Sequence, residues 1–527
     1  MSVTSKPFLQ PLDRVAIALM LVLSLLIGLL LWQGDAVRPQ VGDFSWQDKQ
    51  VGAKDISFTL TFSRPMDAKS VEENLRIDPP LPGKISWAGR RMVYTLLSLA
   101  PYDTAYTLRL QGAQDRFTEE GAKNRRLQPF TGHFKSRDRA FVYLGVAGEE
   151  QGRLVLYNLT HQQKTLLTPK DLIVVDFKPY PAGEKILFSA TERTKEQSGL
   201  LSSQLYTVTT GIGAGNKAIT QGSAGGGSSG FLERAQSDSS GKIDLVLDNK
   251  DYQNLKFDLS PDGQTIVVQR VNQRNPGDFA LWVLRPNQQP QPMETQPGGD
   301  FMITPDSAAV AVAQGQGVAI LPLQSQAQKP LDFLPQFGLV LDFARDGSEA
   351  AMVKFNSDYT RSLFLVTNQG VQRQILRTTG SILSAQFNPT QQTLYCLLTQ
   401  LLAGKTYQEQ PYLAAIDLKT GKQTPLLALP NQRDVQWSLS PDGLALLFDQ
   451  VVTVKAPEPS QSNNLPTNEG EAVATGRLWL LPLLPATSGE GIHSQGNAYG
   501  SSSDFLEQAQ LQPEALPLPG FHPHWLP

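Results

Sequence analysis

The first pattern in the chain is an uninterrupted apolar stretch from Val15 to Trp32 that carries no charge. A helix of this length rises about 27 Å, close to the hydrocarbon thickness of a bilayer. The stretch is longer than the apolar part of a signal peptide, so it predicts an uncleaved transmembrane helix over residues 15–32. Lys6 and Arg14 precede it, and the positive-inside rule then places residues 1–14 in the cytoplasm. The rest of the chain is expected in the periplasm or in the lumen of an internal membrane system.

Beyond the helix, the apolar period changes to two. Ile56, Phe58, Leu60 and Phe62 alternate with polar residues, which is the pattern of a half-buried strand. Further short alternating stretches follow at KISWAG, RMVYTLL, AYTLRLQG and FTGHFKS, separated by Pro and Gly. This spacing, with no sizeable helical stretch, predicts a β-sandwich of about 100 residues.

A local motif within these strands indicates a family for this domain. The segment FSRPMDAKSV, residues 62–71, is followed by Trp87, the strand at 106–110 and Asp115. Together they resemble the bacterial Ig-like domain called SbsA-like or Big_5, over residues 41–137. The resemblance implies a spacer or adhesive module and no chemistry of its own.

The rest of the chain repeats one turn. LSPDG stands at Leu259–Gly263 and again at Leu439–Gly443, with weaker copies at DFKPYPAGE, MITPDSA, DFARDGS and QFNPTQQ. In this turn Pro sets φ, Asp bonds the following backbone and Gly accepts a positive φ. The aligned positions are Pro179, Pro261, Pro305, Arg345, Pro389 and Pro441. Their inner spacing of about 40 to 50 residues, with an apolar strand after each turn, is the period of a four-stranded propeller blade.

The two ends of the repeat region complete each other. Its first unit supplies only three strands, FVYLGVAG, GRLVLYNLT and KTLLTPK, whereas the chain ends in FHPHWLP, an innermost strand that stops at its turn proline. Since a ring leaves no open sheet edge, the last strand is expected to complete the first blade. The sequence thus predicts an all-β chain: a transmembrane helix, an Ig-like sandwich and, over residues 139–527, a seven-bladed propeller, with six or eight blades as alternatives. The region resembles the TolB-type, WD40-like propeller, and this resemblance implies a protein or peptide partner at the channel mouth.

The repeat also predicts which side chains line the central channel. Residues two positions before the aligned turn position are apolar, so those three positions before it should face the channel. Six of these seven residues are polar and form the candidate ligand site: Asp176, Asp258, Asp342, Gln386, Ser438 and His524; the seventh is Met302. Carboxylates that converge on one pore repel each other unless a cation or a basic partner group is present. Hydration and backbone hydrogen bonding are the alternative role for these groups.

Composition removes several function classes. Lys and Arg total 46 against 49 Asp and Glu, so nothing indicates nucleic-acid binding. A single cysteine, Cys396, excludes an internal disulfide and a cysteine zinc site, and with five histidines a histidine-rich metal centre is not expected. The string GGSSG at Gly226–Gly230 matches a hydrolase elbow, but it stands in a Gly/Ser-rich stretch without the strand and helix that such an elbow needs.

These observations favour a non-enzymatic, membrane-anchored binding or scaffold protein of the cell envelope, whose propeller engages a protein or peptide partner. No catalytic residue, cofactor site or metal site is predicted, although a cation in the channel fits the three aspartates. Two alternatives stay open: a propeller hydrolase or lyase acting on peptide or glycan, and a purely structural envelope component.

Overall fold

The computed structural model describes residues 11–33, 38–52, 55–117, 125–193, 203–212, 240–293, 298–315, 317–323, 332–402, 407–430, 434–454, 472–483 and 511–527. The string GGSSG lies outside them. The chain divides into two compact units. The first comprises Met1–Asp48, Ser57–Thr95 and Ala105–Phe134, and the second comprises Lys49–Ile56, Leu96–Thr104 and Lys135–Pro527.

The N-terminal apolar stretch is helical, as α1 over Pro11–Gln33. Within the described residues, no helix is both long enough and apolar enough to cross a membrane. The predicted transmembrane helix at residues 15–32 is therefore not supported.

Eight short strands and one helix follow. They are β1 (Val41–Phe44), β2 (Gln50–Val51), β3 (Ser57–Phe62), α2 (Ala68–Asn74), β4 (Leu75–Asp78), β5 (Gly83–Ala88), β6 (Arg91–Leu96), β7 (Ala105–Leu110) and β8 (Phe130–Ser136). The strands form two four-stranded sheets, β1-β3-β6-β5 and β2-β8-β7-β4. The helix α2 begins at the FSRPMDAKSV motif, where Asp67 caps it by accepting a hydrogen bond from Ser70 N.

Aromatic side chains join these two sheets. Phe134 of β8 lies 6.2 Å from Phe44 of β1, 6.5 Å from Phe58 of β3 and 5.1 Å from Trp46, measured between ring centroids. The alternation in β3 is as predicted for Phe58, Leu60 and Phe62, which are buried. Ile56 was expected on the same face and is 48% exposed, because β3 begins only at Ser57.

The remaining strands are all short and antiparallel. They are β9 (Ala140–Gly145), β10 (Leu154–Asn158), β11 (Gln163–Leu166), β12 (Leu172–Pro179), β13 (Lys185–Glu192), β14 (Gln204–Thr209), β15 (Ile243–Leu247), β16 (Tyr252–Leu259), β17 (Ile266–Asn272), β18 (Phe279–Leu284), β19 (Gln291–Pro292), β20 (Phe301–Ile303), β21 (Ala309–Ala313), β22 (Val318–Pro322), β23 (Asp332–Leu334), β24 (Leu339–Phe343), β25 (Glu349–Phe355), β26 (Arg361–Thr367), β27 (Gln372–Thr378), β28 (Ile382–Phe387), β29 (Thr393–Leu401), β30 (Glu409–Asp417), β31 (Gln423–Ala428), β32 (Trp437–Leu439), β33 (Ala445–Val454), β34 (Ala472–Pro482), β35 (Glu514–Ala515) and β36 (Gly520–Trp525). A short 3₁₀ turn, Gly148–Glu150, separates β9 from β10.

In the described part of the chain these strands form seven four-stranded sheets. Six contain consecutive strands, from β12-β13-β14-β15 to β32-β33-β34-β35. The seventh, β11-β10-β9-β36, is completed by the last strand of the chain, which pairs antiparallel with β9. The all-β propeller architecture is thus confirmed, while the number of blades stays a prediction.

The first strand of each sheet contacts the first strand of the next, and β36 takes this place in the seventh sheet. The contacts run from β12 to β16 through Lys178 and Asp258, from β16 to β20, from β20 to β24, from β24 to β28, from β28 to β32, from β32 to β36, and from β36 back to β12 through His522 and Phe177. These innermost strands therefore close into a ring around a channel.

The repeated turn joins the innermost strand to the second strand, as predicted. In both LSPDG copies the glycine has a positive φ, 72° at Gly263 and 73° at Gly443, and its N–H donates to the serine carbonyl. The Asp262 carboxylate accepts hydrogen bonds from Ser260 Oγ and Gln264 N. Two of the four degenerate copies keep the positive φ without glycine, since Ser307 and Gln391 have φ of 60° and 57°.

The repeat alignment was wrong in one blade. The hydrogen bond that closes the first turn joins Gly183 N to Tyr180 O, so Pro181 is the counterpart of Pro261, and not Pro179. Strand pairing agrees, because Lys178 pairs with Leu187 as Asp258 pairs with Val267. Two prolines separated by one residue made the register ambiguous in the sequence. We call the residue three positions before the turn proline, or before its counterpart Arg345, on each innermost strand the ring position. Lys178 therefore occupies the ring position that was predicted for Asp176.

The closing strand allows a direct stability test. Trp525 is 2% exposed and meets Phe141 edge to face at 5.6 Å, so Trp525→Ala should lower the free energy of unfolding by about 3–5 kcal/mol. Phe355→Ala is the control, since Phe355 is 57% exposed and should cost far less. Thermal and chemical denaturation of both variants measures the difference. Equal stability of the two variants would mean that β36 does not close the ring.

Candidate functional site

The ring of innermost strands has an unpaired edge. Each of these strands pairs with its second strand on one side only, so backbone N–H groups on the other side need acceptors from elsewhere. At the position two residues before the turn proline, or before Arg345 in the turn without proline, six N–H groups receive acceptors from side chains of the candidate site.

Asp258 and Asp342 each satisfy two of these N–H groups. One oxygen of Asp258 accepts from Leu259 N and the other from Ile303 N of the next blade, both at 2.8 Å. Asp342 repeats the arrangement, with Phe343 N at 2.9 Å and Phe387 N at 2.8 Å. Their carboxylates therefore connect neighbouring blades.

Gln386 and Ser438 connect the following blades in the same way. Gln386 Oε1 accepts from Leu439 N at 2.9 Å, while its Nε2 donates to Trp437 O at 3.3 Å. Ser438 Oγ accepts from Trp525 N of the closing strand at 3.2 Å. The seventh residue at this level is Pro179, which has no N–H to satisfy.

Three ring positions, Lys178, Met302 and His524, carry no such acceptor toward the next blade. In the blades that follow Lys178 and Met302, the N–H groups of Leu259 and Phe343 are satisfied by their own neighbours, Asp258 and Asp342. His524 faces Pro179 in the next blade, and its Nδ1 lies 2.8 Å from Trp525 O. Each acceptor thus lies beside a backbone N–H that needs one. Backbone hydrogen bonding is the alternative role that the sequence left open for these residues.

Lys178 is the residue that sequence reasoning missed. Its ammonium makes an ion pair with Asp258 Oδ1 of the neighbouring blade, where the carboxylate is only 6% exposed. The Lys178 side chain is 41% exposed, and among the described residues its ammonium has no other partner. The lysine neutralises a buried carboxylate and keeps donor capacity toward the channel.

Asp176 lies two residues before Lys178 on β12, on the same face of the strand. Its Oδ1 accepts from Phe177 N at 2.8 Å and lies 3.6 Å from His522 Nδ1 of the closing strand. Within the described part of the chain nothing donates to Oδ2, and the side chain is 45% exposed. Of the three aspartates predicted for the ligand site, Asp176 is the one with an oxygen left open.

His522 has an unusual backbone conformation. Its φ is 52°, and the pairing of β36 with β9 is interrupted between Phe521 and His524. The His522 N–H donates to Asp449 Oδ2 at 2.7 Å, and its ring lies 4.9 Å from the Phe177 ring. Surrounding contacts therefore hold the imidazole beside Asp176 in a conformation that non-glycine residues seldom adopt.

Burial shifts several pKa values around the ring. It raises the pKa of the Asp342 carboxyl to about 7, against the backbone N–H groups of Phe387 and Phe343 that favour the charged form. The same cause raises the pKa of Asp449 to about 6. Burial lowers the pKa of His524 to about 4 and also lowers that of His522, although the nearby Asp176 opposes the latter shift. Both imidazoles are consequently neutral at pH 7.

Within the described residues, no three His, Cys, Asp or Glu side chains lie close enough together to hold a metal ion. Cys396 is fully buried, and burial raises the pKa of its thiol.

Comparison with known proteins gives distant structural likenesses. The sequence matches no protein-family model and no curated protein. Among solved structures, TolB from Acinetobacter baumannii is 12% identical, with 66% of this chain and 79% of that chain covered and a TM-score of 0.35. An oligogalacturonate lyase from Vibrio parahaemolyticus is 10% identical, with 70% and 94% covered and a TM-score of 0.39. Hydrazine synthase from Kuenenia stuttgartiensis is 13% identical, with 52% and 72% covered and a TM-score of 0.34. The propeller assignment rests on the sheet order of this chain itself.

The bonds between blades predict a specific loss of stability. Gln386→Leu removes the acceptor of Leu439 N and should lower the free energy of unfolding by about 1–2 kcal/mol. Met302→Leu is the matched control, because Met302 holds the same ring position and its side chain loses no hydrogen bond. Urea denaturation compares the two variants. The interpretation fails if Met302→Leu costs as much as Gln386→Leu.

Asp342 predicts a pH dependence. Because its pKa rises from 3.8 to about 7 on folding, the folded state binds the proton more tightly. The stabilisation is complete below about pH 4 and is lost as pH rises through about 7. Asp342→Asn should therefore flatten the decline in stability between pH 5 and 8. Denaturation curves of both proteins across this range test the prediction, and parallel declines would contradict it.

Proposed function

We propose that the protein is a non-enzymatic binding or scaffold protein of the cell envelope, whose propeller engages a protein or peptide partner at the channel. In this proposal it is a TolB-type propeller with seven blades over residues 139–527. An SbsA-like Ig-like domain over residues 41–137 serves as a spacer, and residues 15–32 are the membrane tether that leaves residues 1–14 in the cytoplasm.

The observation that carries the proposal is that some channel residues bond neighbouring blades to each other while others have polar groups without a partner in the described part of the chain. Asp258, Asp342, Gln386 and Ser438 are engaged in bonds between blades. Asp176 and Lys178 keep an acceptor and donors open toward the channel, which suits recognition of a polar group. Binding therefore requires no rearrangement of the ring.

A propeller hydrolase or lyase is the second candidate. The contact of His522 with Asp176 favours it, because an imidazole beside a carboxylate is a common acid–base arrangement and His522 is held in a strained conformation. The enzyme would show turnover of a peptide or glycan, whereas the binding protein would retain its ligand unchanged.

Position-specific photo-crosslinking in intact cells tests the binding proposal. A photoreactive residue replaces Met302, which holds the ring position of the innermost strand β20, or Val371, which is exposed beside the outermost strand β27. A partner should be captured from position 302 and not from position 371. Equal capture from both positions, or none from 302, would contradict binding at the channel. Cleavage of the captured peptide or glycan would favour the enzyme.

The membrane tether rests on the apolar sequence alone and needs its own test. Removal of residues 1–33 should release the protein from the membrane fraction, while the full chain should resist extraction at alkaline pH. Extraction of the full chain under those conditions would contradict the tether and leave the channel proposal intact.

A further inference from the structure

Three side chains of the channel have polar capacity that the fold does not use. In the described part of the chain, Asp176 Oδ2 accepts no hydrogen bond, and the Lys178 ammonium bonds only Asp258. The Nε2 of His522 also has no partner there. These groups come from the two innermost strands β12 and β36, so they form one cluster at the junction where the ring closes.

The open acceptor and the open donors lie close together and are not paired with each other. Asp176 and Lys178 are separated by two positions on one strand, which places their Cα atoms about 6.5–7 Å apart on the same face. Asp176 is directed to His522 on one neighbouring strand, and Lys178 to Asp258 on the other. A ligand that enters between them meets a carboxylate oxygen on one side and an ammonium group on the other.

The neighbouring groups leave the charge of Asp176 available. Burial keeps His522 neutral at pH 7, so it does not neutralise the carboxylate. Lys178 is already committed to Asp258, whose two oxygens also accept Leu259 N and Ile303 N. A positively charged group of a ligand is therefore the missing partner of Asp176.

We propose that this cluster captures the α-amino end of a ligand, with the α-ammonium group bonded to Asp176 and the adjacent carbonyl oxygen bonded to Lys178. An α-ammonium group and the carbonyl beside it place a donor and an acceptor next to each other, as the two side chains require. A lysine or arginine side chain would engage Asp176 but offers no acceptor to Lys178. This inference rests on the proposed function, and it names the chemical group of the partner that enters the channel.

Synthetic peptides test the inference with the full protein. The probe is an alanine–serine hexapeptide with a fluorophore at its carboxyl end and a free amino terminus. The comparison probes are the same peptide acetylated at its amino terminus, the acetylated peptide with one internal lysine, and free alanine as a competitor. Fluorescence anisotropy gives the dissociation constants. Acetylation should weaken binding about tenfold or more, and the internal lysine should restore little of it. Competition by free alanine would assign the site to amino acids, and its failure to compete would assign it to peptide ends.

Variants assign the effect to the cluster. Asp176→Asn and Lys178→Met should each remove most of the preference for the free amino terminus. Asp300→Asn and Lys256→Met are the matched controls, because this pair also joins neighbouring blades, at 2.5 Å, and both side chains are exposed. Melting temperatures identify variants that fail to fold. If Lys178→Met does not fold because the ion pair with Asp258 is lost, Asp176→Asn and the acetylated peptides still test the inference. Asp176→Asn is expected to fold, since the amide oxygen that it introduces can still accept a hydrogen bond from Phe177 N.

Three results would overturn the inference: equal affinity of the free and acetylated peptides, no binding of the free peptide at millimolar concentration, or an unchanged preference in Asp176→Asn. They are distinguishable from failure of the proposed function. A partner captured from position 302 in cells, with capture unaffected by Asp176→Asn, would keep the channel proposal and exclude capture of an amino end.

Discussion

The structure of the propeller depends on the backbone N–H groups at the inner edge of its sheets. A strand with one partner leaves half of its donors unpaired, and a donor buried without an acceptor costs about 1–3 kcal/mol. Six N–H groups at one level of the ring receive a side-chain acceptor, and the seventh position is a proline. Four side chains therefore account for every donor at that level, and four of these bonds cross from one blade to the next.

This constraint changes the meaning of the polar channel. Asp258 and Asp342 are carboxylates because each must accept two N–H groups at once, which an amide or a hydroxyl cannot do in the same geometry. Burial disfavours the charged form of such a carboxylate, and in Asp342 it raises the pKa. In the described part of the chain, Asp176 and Lys178 have open polar groups at the junction of β36 and β12, where the pattern is interrupted, and that is where we place the ligand.

Much of the fold could be predicted from the sequence because its signals are local. The turn chemistry of Ser260–Gly263 marks the passage from first to second strand, and the missing strand of the first unit matched the extra strand at the end of the chain. The sequence also placed Asp258, Asp342, Gln386 and Ser438 at one level of the innermost strands. Their bonds to the next blade were not predictable, because each depends on which residue the neighbouring blade places opposite.

The errors also have physical causes. Pro179 and Pro181 fit the same turn position, and the hydrogen bond from Gly183 N to Tyr180 O and the strand pairing decide between them, so Lys178 was overlooked. Ile56 continues the alternation of β3 in sequence but precedes the first paired residue of the strand. A pattern of residue types indicates the period of a strand, whereas the pairing with the neighbouring strand determines where the strand ends and in which register it pairs.

Hydrogen–deuterium exchange tests most directly whether side chains of one blade hold the backbone of the next. Asp342→Leu removes both acceptor oxygens from the ring. The account predicts faster amide exchange in residues 382–387 of the following blade, while exchange in β26 of the same blade stays unchanged. Unchanged protection in residues 382–387 would show that Phe387 N does not depend on Asp342, and would contradict the role assigned to the ring.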